Sequence, residues 1–213
     1  MEFREFHKIP RFSREIIVTE KIDGTNGVIG IEAEAEHVWT PGEVPPVATV
    51  DGFSIYAGSK SRWLDVWSKG DNFGFAKWVY AHAEELLALG PGMHYGEWWG
   101  YGIQRGYGLP KGERRFSLFN VSRWADTAGA VPTVRPACCH VVPVVWRGRF
   151  DTEMVDIALQ ALAISGSLAS PGFMNPEGII VFHTAGNLTF KKTLGDDGAK
   201  GGTQPQPQER TTQ

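Results

Sequence analysis

The order of apolar and polar positions divides the chain into short strand-like runs interrupted by two helical stretches. Runs rich in β-branched and aromatic residues, bounded by turn residues, predict strands over 15–21, 27–33, 53–60, 93–98, 115–121, 141–146, 178–183 and 188–192. Apolar residues at helical spacing predict helices over 72–89 and 152–164. Two helices among roughly eight strands predict an α+β fold with mixed, mainly antiparallel sheets and flanking helices.

Glycine- and proline-rich segments predict the turns and the end of the folded unit. Asp23-Gly24 predicts a turn that joins the first two strands as a hairpin-like unit, and Gly186-Asn187 predicts a second hairpin turn. Residues 34–52 predict an exposed loop. From residue 195 onward large apolar residues vanish, so we expect one domain over 1–194 and a disordered polar tail over 195–213.

Length, charge and cysteine content narrow the class of protein. The 213 residues suffice for one domain with a hydrophobic core. A net charge of −3 gives no global basic field, so binding of nucleic acid would require a local basic face. Cys138 and Cys139 are adjacent, which is poor geometry for a disulfide and suits a reducing cytoplasm. No apolar run approaches membrane-spanning length, so we expect a cytoplasmic protein that does not bind membranes.

The segment TEKIDGTNG places three charged residues, Glu20, Lys21 and Asp23, between two apolar runs. Such charges cost free energy unless they are paired or used. A lysine amine is a nucleophile when it is deprotonated, and neighbouring cations, a bound metal or desolvation favour that form. A hairpin with its lysine and aspartate solvated at the tip would show the same nine residues, so this segment alone leaves both interpretations open.

Charged and aromatic residues recur in other strand-like segments of the chain. They are Lys60 and Arg62 in SKSR, Glu97 in YGEWWG, Phe116 and Phe119 in FSLF, Glu177 in EGIIVF, and Lys191 and Lys192 in FKKTL. Together they supply a nucleophilic amine, two carboxylates for a divalent cation or a ribose, an aromatic ring for a base, and cations for phosphates. The two phenylalanines lie three residues apart and face opposite sides of a strand, so at most one stacks on a base. We expect Phe116 to be that one.

The series KIDGTN, SKSR, YGEWWG, FSLF, EGIIVF and FKKTL, in this order, resembles six motifs of the covalent nucleotidyltransferase superfamily of polynucleotide ligases and mRNA capping enzymes. The likeness is greatest to ATP-dependent RNA ligases that seal nicks in duplex RNA, because GYGIQRGYG is also similar. The resemblance covers about 15–194. It implies a nucleotidyltransferase (adenylation-domain) fold, ATP with Mg²⁺ or Mn²⁺ as cofactors, and RNA ends bearing a 5′-phosphate and a 3′-hydroxyl as partners, including those of a nicked duplex.

The resemblance also implies a role for each matching residue. Lys21 would attack the α-phosphorus of ATP and carry AMP, which then passes to an RNA 5′-phosphate before a 3′-hydroxyl displaces it. The residues expected to bind the nucleotide are Glu20 near adenine, Asn26 on the phosphate side, Arg62 at the nucleotide or the polynucleotide end, Glu97 at the ribose, Phe116 on adenine, and Lys191 and Lys192 at the α-phosphate. The expected metal ligands are Glu177 and Glu97.

The chain departs from the pattern of this superfamily in two ways. Its last motif reads Lys191-Lys192-Thr193 where relatives commonly have Lys-x-Lys, and strand alternation predicts that Lys191 faces the phosphate while Lys192 points to the other face. Most relatives carry a further C-terminal domain, so we expect a minimal ligase, as in a viral or bacteriophage RNA-repair enzyme of the host cytoplasm. The alternatives are a DNA ligase, a guanylyl-transferring capping enzyme, and a non-catalytic protein that binds nucleic-acid ends.

Overall fold

The structure is a computed structural model that describes residues 2–34, 43–67, 70–125 and 134–195. The strands are β1 (Glu15–Lys21), β2 (Thr25–Ala33), β3 (Ala48–Val50), β4 (Phe53–Gly58), β5 (Trp63–Leu64), β6 (Gly92–Gly100), β7 (Arg114–Leu118), β8 (Cys139–Val141), β9 (Val144–Arg149), β10 (Gly178–His183) and β11 (Leu188–Thr193). The helices are α1 (Phe75–Ala81), α2 (Ala83–Leu86), α3 (Val121–Trp124) and α4 (Thr152–Ser165), with short 3₁₀ turns at Asn72–Gly74, Leu87–Leu89 and Gly106–Gly108. Within these residues, no helix is both long and apolar enough to cross a membrane.

The described strands form two sheets, one large and one small. The large sheet has the order β3-β4-β2-β6-β7-β8 with β5 added to β4, and the small sheet has the order β11-β10-β1-β9. Neighbouring strands are antiparallel except for β7 and β8, which run parallel. The predicted α+β fold with mainly antiparallel sheets is confirmed.

Strands β1 and β2 belong to different sheets, so the predicted hairpin at Asp23-Gly24 is wrong. β1 pairs with β9 and β10, whereas β2 pairs with β4 and β6. Gly24 does not serve a left-handed turn here: a Cβ at this position would collide with the carbonyl oxygen of Trp98, so the glycine permits close approach to β6. Residues 22–24 therefore carry the chain from the small sheet to the large one.

Three apolar clusters hold these layers together. One lies between the large sheet and the helices α1 and α2, and it includes Phe75, Trp98 and Phe116. A second lies between the small sheet and α4. The third joins the two sheets around Ile17 and Tyr107. Both faces of β1 are buried because its alternate residues contribute to the second and third clusters.

The predicted helix over 72–89 is broken into shorter pieces. α1 and α2 are separated at His82, whose backbone leaves the helical region at φ −114° and ψ 18°. The ring nitrogen Nδ1 of His82 lies 2.8 Å from the carbonyl oxygen of Trp78, one turn earlier, where it competes with the main chain. The predicted hairpin of β10 and β11 is confirmed, with Asn187 at φ 49°. The predicted loop over 34–52 is corrected near its end, where Ala48–Val50 form β3, while residues 35–42 and the predicted tail from 196 onward lie outside the described residues.

Candidate active site

A cleft of about 950 Å³ lies between the two sheets, and Lys21 lines it at the end of β1. The small sheet contributes alternate residues of its strands to this cleft, and the large sheet contributes Asn26 and Glu97. Lys21 occupies the cleft because it shares the face of Ile17 and Thr19, which are four and two residues earlier on β1. The change of sheet after Lys21 opens the space in front of the amine.

The amine of Lys21 is held by a carboxylate from a distant part of the chain. Lys21 Nζ lies 2.5 Å from Glu177 Oε2, and the two side chains are only 22% and 18% exposed. Glu177 directly precedes β10, and Lys21 pairs with Gly178 at the end of the β1–β10 ladder. The ion pair with Glu177 excludes the alternative in which Lys21 is merely solvated at a hairpin tip.

Glu97 forms the opposite wall of the cleft, on β6. It lies directly across from Asn26 of β2, so the two side chains share a face. The amide of Gly24 donates a hydrogen bond of 3.1 Å to Glu97 Oε1. Burial raises the pKa of Glu97 to about 7, although Lys21 and the Gly24 amide oppose this shift. Near neutral pH this carboxyl is therefore divided between its protonated and ionised forms.

Lys191 and Lys192 separate to opposite faces of β11. Lys191 lines the cleft together with Thr189, its neighbour two residues earlier. Lys192 instead forms an ion pair with Asp156 of α4, on the other side of the small sheet. The prediction that Lys192 binds nucleotide is corrected, because strand alternation leaves only Lys191 facing the cleft.

Phe119, and not Phe116, is the aromatic ring of this segment that lines the cleft. Phe116 is fully buried in the core, with its ring centroid 5.2 Å from that of Phe75. Phe119 is 40% exposed and lies just after the end of β7. The prediction that Phe116 stacks on adenine is corrected, because Phe116 pairs across the sheet with Trp98 and shares its core-facing side.

The side chain of Glu20 is committed to a loop on the far side of β1. It is 1% exposed, and it accepts hydrogen bonds from the Ser167 hydroxyl at 2.6 Å and from the amides of Leu168 and Ala169 at 2.8 and 2.9 Å. These contacts satisfy the buried carboxylate. Glu20 also lines the cleft, although its carboxylate is engaged with this loop, so its placement near adenine stays a prediction.

Arg62 lies outside the cleft, and Lys60 lines it instead. The Arg62 guanidinium donates to the carbonyl oxygen of Gly70 at 2.7 Å and borders a second cavity of about 520 Å³. The predicted contact of Arg62 with the nucleotide does not agree with its position outside the cleft. Its alternative role at a polynucleotide end stays a prediction. Asn26 lines the cleft, its carbonyl oxygen accepts from the Asn72 amide group at 3.2 Å, and its contact with the nucleotide stays a prediction.

Two carboxylates beside Lys21, those of Glu97 and Glu177, are the candidate ligands for a divalent cation. Among the described residues, no group of three or more His, Cys, Asp or Glu side chains could hold a metal ion by itself. Glu97 and Glu177 flank Lys21, and their mutual charge is one of the influences that raise the pKa of Glu97. Mg²⁺ is commonly held by one or two carboxylates together with phosphate oxygens, so this pair fits a cation that arrives with a nucleotide.

Comparisons with known proteins agree with this fold. The RNA ligase family matches residues 14–193. A structure of Naegleria gruberi RNA ligase, as a mutant with ATP and Mn, superposes with a TM-score of 0.53 at 16% identity, covering 85% of this chain and 50% of that one. An apo mutant of the same ligase gives 0.52 at 18% identity, with the same coverage of 85% and 50%.

At these identities the structural likeness concerns the fold alone, and the chain spans about half the length of the ligase it matches. No curated protein matches the chain. The family match nevertheless runs from just before β1 to the end of β11, across both sheets and every residue of the cleft. The chain therefore belongs to the RNA ligase family.

Proposed function

We propose that the chain is an ATP-dependent RNA ligase that works through a covalent lysyl-AMP intermediate. The observation that carries the proposal is Lys21 itself, whose amine lies in a cleft between two carboxylates, with Lys191 lining the same cleft. Membership of the RNA ligase family supports the same chemistry.

In the first step, Lys21 Nζ attacks the α-phosphorus of ATP. An N–P bond forms, the P–O bond breaks as pyrophosphate leaves, and the proton released by the nitrogen passes to solvent. Glu177 Oε2, 2.5 Å from this nitrogen, holds the amine in a fixed direction before ATP binds. Lys191 faces the same space and stabilises the negative charge that the phosphate develops. Alignment and charge neutralisation of this kind carry most of the rate in nucleotidyl transfer.

Glu97 and Glu177 are the residues that would hold a divalent cation. Bound together with the nucleotide phosphates, Mg²⁺ or Mn²⁺ would neutralise charge at the reacting phosphate. The raised pKa of Glu97 means that a cation has to displace a proton from part of the population near pH 7.

The base of ATP would lie at the end of the cleft that Phe119 lines, where the ring is free to stack. The subsequent steps would pass AMP to the 5′-phosphate of an RNA end and then join that end to a 3′-hydroxyl with release of AMP. RNA ends, including those of a nicked duplex, are the proposed substrates, and RNA repair is the corresponding cellular role. The family match is the reason for placing RNA before DNA.

The direct test is covalent labelling with ATP that carries the label on its α-phosphate. Incubated with Mg²⁺ or Mn²⁺ and then denatured, the wild-type protein should retain the label, and Lys21→Ala should abolish it. Lys192→Ala is the matched control, because Lys192 is also a lysine of the small sheet but pairs with Asp156 outside the cleft. Lys60 is unsuitable as a control, since it lines the cleft.

Labelling with other nucleotides, sealing assays and thermal unfolding separate the alternatives. Labelling from GTP in preference to ATP would indicate a capping-type guanylyltransferase. Sealing of nicked DNA in preference to nicked RNA or hybrid duplexes would indicate a DNA ligase. If no nucleotide labels the protein under any metal condition while ATP still raises its melting temperature, the chain is a non-catalytic nucleotide binder.

A further inference from the structure

Arg105, in the glycine-rich segment between β6 and β7, bridges two segments that meet at Lys21 and Glu177. Its Nε donates to Asp23 Oδ2 at 2.9 Å. Its Nη1 lies 3.0 Å from the carbonyl oxygen of Asn175, 3.1 Å from the side-chain oxygen of the same residue, and 3.1 Å from the carbonyl oxygen of Pro176. Asp23 is two residues after Lys21, and Pro176 directly precedes Glu177. One guanidinium therefore connects the chain just after the amine to the chain just before its carboxylate.

Residues 22–24 and 175–177, which both belong to the described part of the chain, are not joined to each other by β-ladder hydrogen bonds. The pairing of β1 with β10 ends at Lys21 and Gly178. The carbonyl oxygen of Glu177 accepts from the amide of Leu194, which fixes Glu177 against β11 and not against residues 22–24. Arg105 supplies the missing connection through four contacts to oxygen atoms.

The segment that carries Arg105 is itself fixed in a strained conformation. Gln104 and Tyr107 both have positive φ angles, 44° and 50°, which non-glycine residues rarely adopt. Tyr107 is fully buried, and its hydroxyl accepts a 2.8 Å hydrogen bond from the amide of Asp23. Its carbonyl oxygen accepts from Ser170 at 2.8 Å. Such strain persists only where surrounding contacts determine the conformation, so Arg105 is presented from a rigid support.

We propose that Arg105 is a positioning residue that aligns Lys21 with Glu177 for attack on the nucleotide, an inference that rests on the function proposed above. Arg105 contacts neither side chain of that pair and does not line the cleft, so it acts through Asp23 and Pro176. A simple exposed ion pair contributes little to stability. The planar guanidinium here instead spreads its donors over two separate segments, which a lysine ammonium cannot do in the same geometry.

The test compares single-turnover adenylation of the wild type, Arg105→Ala and Arg105→Lys at saturating ATP. Arg105→Ala should lower the rate constant on the order of 10²-fold, because a displacement of about 1 Å at a reacting atom has an effect of that size. The KM for ATP should stay within about twofold, since Arg105 is outside the cleft. Arg105→Lys should recover part of the rate. Arg149→Ala is the control, because Arg149 donates to the Ser13 hydroxyl and does not line the cleft.

Hydrogen exchange measured without nucleotide tests, independently of catalysis, whether Arg105 connects the two segments. In Arg105→Ala, peptides covering 22–25 and 174–178 should exchange faster, whereas a peptide covering β4 should not change. An unchanged rate constant in Arg105→Ala, or an equal loss in Arg149→Ala, would overturn the proposal. A wild type that forms no adduct would instead refute the proposed function. In that case, unchanged exchange of the two peptides in Arg105→Ala would by itself refute the connection through Arg105.

Discussion

Lys191 and Lys192 are neighbours on β11, yet one lines the cleft and the other pairs with Asp156 of α4. Lys191 lies opposite Ile180 and Lys192 opposite Ile179, so each lysine takes the face of its partner on β10. Two residues of identical chemistry thus have different surroundings, which makes them a matched pair for experiment.

Lys191→Ala should lower the rate constant for lysyl-AMP formation by about 10²-fold, because removal of a cation aimed at the reacting phosphate has an effect of that order. Lys192→Ala should stay within about twofold, since it removes an exposed ion pair that contributes less than about 1 kcal/mol. Single-turnover labelling with ATP measures both. Equal losses in the two variants would mean that net charge, and not position, matters here.

Phe119→Ala should raise the KM for ATP about tenfold while leaving the melting temperature nearly unchanged. The expected size follows from stacking of a base on an aromatic ring, which contributes about 1–3 kcal/mol. Phe116→Ala should instead destabilise the fold by about 3–5 kcal/mol, the usual result for a large ring removed from a core. ATP titrations and thermal unfolding of both variants separate the two roles, and a KM unchanged in Phe119→Ala would place the base elsewhere.

Strand alternation was predictable from the sequence, whereas strand partners were not. The opposite faces of Lys191 and Lys192 follow from the period of two and are confirmed. The choice between Phe116 and Phe119 required the register of β6 against β7, which puts Glu97 opposite Ser117 and therefore puts Phe116 on the other face. Register depends on contacts between distant segments, and a single sequence does not contain them in readable form.

The predicted hairpin failed for a related reason. Asp23-Gly24 is a local turn signal, but the glycine is required by the close approach of β6, a contact that only the folded sheets create. Glu20 is a second example. The sequence shows a charged residue beside Lys21, but the hydrogen-bonding partners of its carboxylate come from a distant loop that follows α4. The motifs thus contained several of the residues that line the cleft, while the assignment of neighbouring residues to faces was not predictable from them.

Glu20→Ala should destabilise the protein by about 3 kcal/mol, because it removes a buried carboxylate and leaves three donors without their acceptor. Ser167→Ala, which removes one of those donors, should have a smaller effect of about 1 kcal/mol. Chemical denaturation measures both. Adenylation per folded molecule should stay within about threefold in Ser167→Ala; a much larger loss would place this loop in contact with the nucleotide.

Glu97→Gln should change how stability depends on pH. Burial raises the pKa of Glu97 in the folded protein to about 7, above the value of about 4.3 expected for the unfolded chain. Between these values the folded state binds more protons, so the free energy of unfolding falls as the pH rises from about 4.3 to 7 and levels off above 7. The glutamine variant lacks this contribution, of the order of 4 kcal/mol. It should therefore gain stability relative to the wild type between pH 5 and pH 8.

Thermal unfolding of the nucleotide-free proteins at several pH values measures this difference. Glu113→Gln is the control, because Glu113 is a more exposed carboxylate that pairs with Arg115 away from the cleft. Its pH dependence should follow that of the wild type. At pH 8, added Mg²⁺ and ATP should stabilise the wild type more than Glu97→Gln and make the wild type the more stable of the two. The reason is that a cation binds an ionised carboxylate more strongly than a neutral amide. If Glu97→Gln and the wild type keep a constant difference from pH 5 to pH 8 without nucleotide, the proton is held by another group.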